Sequence, residues 1–255
     1  MTKVRDIYAH LCQLAPLDLQ MKFDNSGFQI GHEEDEVQRV LLALDVTDAV
    51  VEEAIACKAE LIISHHPLLF HAPRSITDRD PETARILRLA EHRIAVISMH
   101  TNLDIAGGGV NDVLIRLLGA EPERVLDDDG CGRIGTLAKP MDLDSFLQLC
   151  REVLHVAGLR YAASGRPVHH LAVMGGSGGD SLETACALGC DTYVTADVKY
   201  HQFLRAQELG INLIDADHFC TENPVIYDLK DRLSEVFPSV RFDISSRHGP
   251  VIEFA

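Results

Sequence analysis

The sequence predicts an α/β fold of duplicated three-layer α/β/α lobes with largely parallel sheets. Short aliphatic runs alternate with helix-period segments along the chain, which implies parallel strands joined by helices on both faces. Shifting the chain by 131 residues lays one such unit on another, with Val40 on Leu171, Glu52 on Glu183, Ala54 on Ala185, Ala56 on Ala187 and Glu60 on Asp191. A second correspondence sets EHRIAVIS (91–98) against ELGINLID (208–215). Their common order marks βαβαβ in 40–98 and again in 171–215.

The elements follow in order. Strands are expected at 40–44, 61–64 and 94–98, then at 171–174, 192–195 and 211–215, each short, aliphatic and bounded by polar residues. Helices are expected between them at 49–58, 81–92, 180–188 and 201–209. Asp80 followed by Pro81 is an N-cap with a first-turn proline. The span 118–168 is less regular: EPERVLDDDGCGRIGTL is polar and glycine-bearing and reads as an inter-lobe crossing, with a helix after it at 144–155. The tail VRFDISSRHGPVIEFA alternates enough to supply a strand. Residues 1–125 are therefore expected as the first lobe and 126–255 as the second, with 215–255 returning to the first.

Composition narrows the function classes. The chain has 255 residues, 46% hydrophobic and 24% charged, enough for a large core in a water-facing protein. No run approaches the roughly 18 apolar residues that span a bilayer, and MTKVRDIYAHLCQLAP has no secretory apolar core, so a cytoplasmic protein without membrane contact is expected. A net charge of −16 with no Lys/Arg block argues against direct DNA binding and suits a protein that holds cations. The seven cysteines are odd in number and contain no CxxC, as for reduced thiols; Cys186 and Cys190 fit simple packing.

Ligand sites in open parallel sheets gather at the carboxyl ends of the strands. After 61–64 come His65 and His66; after 94–98 comes MHTNLD, with His100 and Asp104; after 211–215 comes ADHFCTENP, with His218 and Glu222. One histidine at a strand end is usually a structural hydrogen-bonder, and HxxxD or an i,i+4 His–Glu pair is common by chance. Three coincident strand ends point instead to metal. Histidines with bridging carboxylates suit two divalent ions about 3.5–4 Å apart. Pro224 places a helix start at 221–224, with Glu222 at its mouth and His218 in the loop before it. His71 is expected in solvent and Cys220 outside the ligand set. GGSGGD (175–180) follows a strand and opens a helix as a phosphate cradle does, but it lacks the Lys-Ser/Thr ending, so tight-turn geometry is the expected reason for it; GGG (107–109) is treated alike.

With these residues in hand, the chain resembles the Nif-three-like (YbgI) family, whose members carry the name GTP cyclohydrolase I type two homologue. FDNSGFQIG (23–31) is similar to that family's WDNxGLQxG, with Phe23 in place of Trp and Phe28 in place of Leu; LIISHHPLLF (61–70), HTNLD with GGVND (100–112), VTADVKYH (194–201) and DHFCTE (217–222) resemble its other signatures. The resemblance implies a two-metal site between the lobes, with His65, His66, Asp104, His218 and Glu222 as ligands. It implies His100 close to the metals, Asp197, Lys199 and His201 lining the pocket, with Asp197 and Lys199 to bind substrate, and a homohexameric toroid built as a trimer of dimers; His100 or His201, as unligated imidazoles, is expected to shuttle protons. The Phe23 departure is expected to bear on packing rather than on the ligands.

The function expected is hydrolysis of a small molecule dependent on two divalent ions per chain, with Fe, Mn, Zn, Co, Ni and Mg all compatible. Such a centre makes hydroxide available near neutral pH. The family name adds purine nucleotides, attacked at the imidazole carbon. The alternative is a metal-binding scaffold or regulatory interaction protein without catalysis. Five protein ligands do not saturate two five- or six-coordinate ions, which favours chemistry over a closed structural site.

Overall fold

A computed structural model describes residues 1–254 as two compact units, one of Met1–Ala106 with Ile226–Gly249 and one of Gly107–Val225 with the tail from Pro250. The sequence boundary was set instead at 125/126, with the return from 215. The elements run α1 (Val4–Leu14), β1 (Gly27–Ile30), β2 (Arg39–Ala43), α2 (Asp48–Cys57), β3 (Leu61–Ser64), α3 (Pro81–Glu91), β4 (Ala95–Ser98) and α4 (Thr101–Ile105). The second unit continues with α5 (Val110–Leu117), β5 (Arg124–Val125), β6 (Arg133–Met141), α6 (Leu143–Leu154), β7 (Arg160–Ala162), β8 (Val168–Val173), α7 (Leu182–Ala187), β9 (Thr192–Thr195), α8 (Tyr200–Leu209), β10 (Asn212–Asp215) and α9 (His218–Glu222). Then α10 (Pro224–Val236) and β11 (Arg241–Ile244) lead back to the first unit.

The first sheet has the order β1-β4-β3-β2-β11, parallel throughout except for β1. The second has the order β5-β6-β8-β9-β10-β7, with a parallel centre of β8, β9 and β10 and antiparallel strands on both sides. Central strands are buried on both faces, so they read as unbroken aliphatic runs such as LIIS. Leu41, Ile62 and Val96 pack against Val50, Val51, Ala54, Ile86 and Leu89 of α2 and α3. Asp80 caps α3 by accepting the Glu82 and Thr83 amides, with Pro81 in the first turn as expected. Truncating a fully buried side chain such as Ile62 to alanine removes about 2–5 kcal/mol.

The duplication is visible in the hydrogen bonds. Glu60 accepts the amides of Gln38 and Arg39 at the head of β2, and Asp191 accepts those of His169 and His170 at the head of β8. The Ala95 amide bonds the Glu60 carbonyl as the Asn212 amide bonds that of Asp191, both at 2.9 Å. In each half a five-residue helix follows the third strand, α4 in one and α9 in the other.

Two expectations are corrected. The supposed crossing at 121–137 holds β5 and the start of a nine-residue strand, β6. It was hidden by Gly135, Lys139 and Pro140, which interrupt the strand pattern. Gly135 is required there, because a Cβ would lie 2.2 Å from the Glu121 carbonyl oxygen. His218 is not in a loop: it opens α9, whose N-cap Asp217 accepts the Cys220 amide at 3.1 Å.

Candidate metal centre

In the first unit the chain beyond β3 and β4 brings together three imidazoles and a carboxylate. His65 is wholly buried; its Nδ1 donates to the Met99 carbonyl at 2.8 Å and its Nε2 stands 3.6 Å from Asp104 Oδ1. His66 Nδ1 donates to Asp45 Oδ1 and His100 Nδ1 to Asp24 Oδ1, each at 2.7 Å. One ring nitrogen from each of the three histidines lies within 4.8 Å of the others. In the second unit His218 Nδ1 donates to Asp197 Oδ2 at 2.7 Å, and its Nε2 meets Glu222 Oε2, one helical turn on, at 3.1 Å.

A carbonyl or carboxylate oxygen only accepts, so all four Nδ1 atoms carry a proton, and in the neutral ring Nε2 is then the nitrogen that offers a lone pair. A second oxygen behind each metal-binding imidazole is the usual way to set its tautomer and orientation. Neutral imidazole and buried carboxylate together suit a borderline divalent ion. The donor set fits the metal that the sequence implies.

Sequence reasoning missed Asp24 and Asp45. Asp45 follows β2 directly, so the strand-end rule that found the histidines could have found it. Asp24 had no such signal, lying 76 residues from the ring it holds. Asp197, expected to bind substrate, also orients His218; its positive φ of 53° presents the carboxylate at the end of β9. Lys199 and His201 lie exposed at the start of α8. His71 is exposed, and Cys220 belongs to the second unit's core, where burial and then Asp217 push its thiol up to about 12.

The glycine loop shapes the second half of the set. Its amides are used inside the protein, Gly175 donating to Asn111 Oδ1 at 2.9 Å and Gly176 to Thr221 Oγ1 at 3.1 Å. This is turn geometry, with φ +65° at Gly176, and the Glu222 carboxylate rests directly on it.

Burial would raise the Asp24 carboxyl, but hydrogen bonds from His100, Thr101 and Ser26 outweigh it and hold the group far below the usual range. A depressed folded value contributes stability above the unfolded carboxylate value of about 4 and loses it as pH falls towards the folded one. Urea midpoints taken from pH 7 downwards should therefore fall through the acid limb, and fall less steeply in Asp24→Asn.

The Duf34/NIF3 (NGG1p interacting factor 3) model matches residues 2–249. A Clostridium perfringens protein named GTP cyclohydrolase 1 type 2 homolog is 35% identical over 260 residues, spanning 99% of this chain and 99% of the relative. One of the same name from Clostridium acetobutylicum is 34% identical over 239 residues, spanning 91% and 89%. Among solved structures, a Bacillus cereus protein related to NIF3 has a TM-score of 0.91 at 25% identity, covering 100% of this chain and 99% of that one. Staphylococcus aureus hypothetical protein SA1388 has a TM-score of 0.92 at 28% identity, covering 99% of each. With a match along almost its whole length, this chain belongs to the Duf34/NIF3 family.

Proposed function

We propose that this chain is a hydrolase dependent on two divalent metal ions, with His65, His66 and Asp104 of the first unit and His218 and Glu222 of the second as the ligands. The observation that carries the proposal is the locking of each histidine Nδ1 by an oxygen, which leaves every Nε2 as a donor. The ions would supply Lewis acidity and a water activated at neutral pH.

The chain's own groups do the rest. His100, fixed by Asp24 through Nδ1, holds and releases a proton at Nε2. His201 offers a second, exposed imidazole, and Lys199 an exposed ammonium for an anionic substrate group. The relatives' name, GTP cyclohydrolase 1 type 2 homolog, supports a purine nucleotide as substrate, opened at its imidazole carbon. The family resemblance supports assembly as a homohexameric toroid, a trimer of dimers.

Metal content tests this directly. Untagged protein purified without chelators should carry about two ions per chain, and His65→Ala/His66→Ala should lose them while keeping the circular dichroism of a folded protein. Wild-type protein that holds no metal after anaerobic reconstitution with Fe, Mn and Zn would overturn the proposal.

A further inference from the structure

The FDNSGFQ segment (23–29) holds more than His100. Phe23 is 62% exposed, and Phe70, also exposed at 37%, stands edge-on to it with ring centroids 6.4 Å apart. Phe70 in turn lies 6.1 Å from the His100 ring at an interplanar angle of 80°, and 4.8 Å from His71. The aromatic surface thus runs from open solvent into the histidine cluster.

These rings are held, not stray. Leu69, just before Phe70, has both backbone groups bound by side chains of the 23–29 segment. Asn25 Nδ2 donates to the Leu69 carbonyl, and the Leu69 amide donates to Gln29 Oε1 at 2.8 Å. Gln29 Nε2 closes the clamp by donating to the Asn25 carbonyl. Asp24, one residue from Phe23, meanwhile fixes His100. One segment therefore sets the position of a proton-handling imidazole and of two solvent-facing rings beside it. Leaving that much phenyl surface in water is unfavourable by about 25 cal/mol per Å², and a clamp that keeps it there needs an occupant. Two phenyl rings at 61° form a corner for a flat ligand: it stacks on one face and meets the edge of the other, the geometry aromatic pairs prefer.

We propose that Phe23 and Phe70 are specificity-determining residues that stack the planar heteroaromatic ring of the substrate beside the histidines, with Asn25 and Gln29 as the positioning residues of that wall. The proposal rests on the metal-centre reading only for which part of the ligand reacts. A nucleobase fits such a wall in a sequence-tolerant way, because every base presents a π-face.

The test is calorimetric titration of the full-length protein, metal-loaded and metal-stripped, with guanosine, adenosine, cytidine and ribose 5-phosphate. Wild type should bind nucleosides in both states. Phe23→Leu and Phe70→Leu should each weaken nucleoside binding by about tenfold, Phe23→Trp should preserve it, and ribose 5-phosphate binding should not change. Nucleoside binding that is absent from wild type, or equal in the leucine variants, overturns the proposal. So does a change of mass by light scattering in the leucine variants with nucleoside binding intact, which assigns the rings to contact between copies. Metal content measured on the same samples separates the two ideas. Loss of the stacking effect with two ions retained refutes the wall alone; ring-dependent nucleoside binding by a protein that takes up no metal even on reconstitution refutes the metal centre alone.

Discussion

Gly176→Ala should strip the second unit's metal donors of their geometry while leaving the sheets folded. A Cβ at this position would lie 2.1 Å from Glu222 Oε1 and 3.2 Å from His218 Nε2. The atom in the way is the far end of a side chain, so the backbone does not have to give way. The carboxylate must move instead. The left-handed φ of +65° adds strain of about 1–2 kcal/mol for a residue with a Cβ, or a fall of about 2–8 °C in melting temperature for a chain of this size. Metal affinity should fall far more, by roughly the 10–100-fold typical of a displaced supporting group or beyond. Metal retained per chain after dialysis against a weak chelator measures it. An alanine variant that keeps both ions as wild type does would remove Glu222 from the ligand set.

The largest expected loss of stability comes from Arg133→Met. Arg133 and Asp112 are both buried in the second unit and form an ion pair. Arg133 Nη1 also donates to the carbonyls of Gly130 and Gly132, and Asp112 accepts the Gly108 amide at 2.9 Å. Removing the guanidinium leaves a buried carboxylate facing only the half-exposed Arg116 at 3.7 Å, which destabilises by up to about 3–5 kcal/mol, whereas replacing both partners by apolar groups is often neutral. Urea unfolding should place Arg133→Met well below wild type and Asp112→Leu/Arg133→Met between the two. A single variant within 0.5 kcal/mol of wild type, on the order of a surface substitution, would show that the pair contributes little.

How much of this was legible depended on the distance over which each signal acts. The central strands could be read because burial on both faces leaves LIIS and TYVT without charged residues and rich in β-branched ones. The repeat could be read because Glu60 and Asp191 do the same work on their neighbouring strands. The histidines stood out because strand ends have a known chemistry. Three edge strands were not legible, whereas β11 was, in the alternating tail: β1, β5 and β7 have two to four residues each, too short to show a period. Which oxygen stands behind which histidine was beyond local pattern, since Asp45 and His66 are 21 residues apart and Asp197 and His218 likewise. The exposure of Phe23 was not legible either, because nothing local to it announces the clamp at Leu69.

The place of β11 has a consequence for how the chain is made. Its four residues cover the open side of β2, pairing Phe242 with Val40 and Ile244 with Leu42, yet they are translated some 200 residues later. On the ribosome, where domains form in order of emergence, almost all of the second unit's residues are available before the first unit can finish its sheet. Until then β2 presents an unpaired aliphatic edge, the kind of surface that recruits foreign strands. A nascent chain stalled or cut short before residue 241 would leave the ribosome with that edge bare, and its fate would be aggregation or chaperone capture.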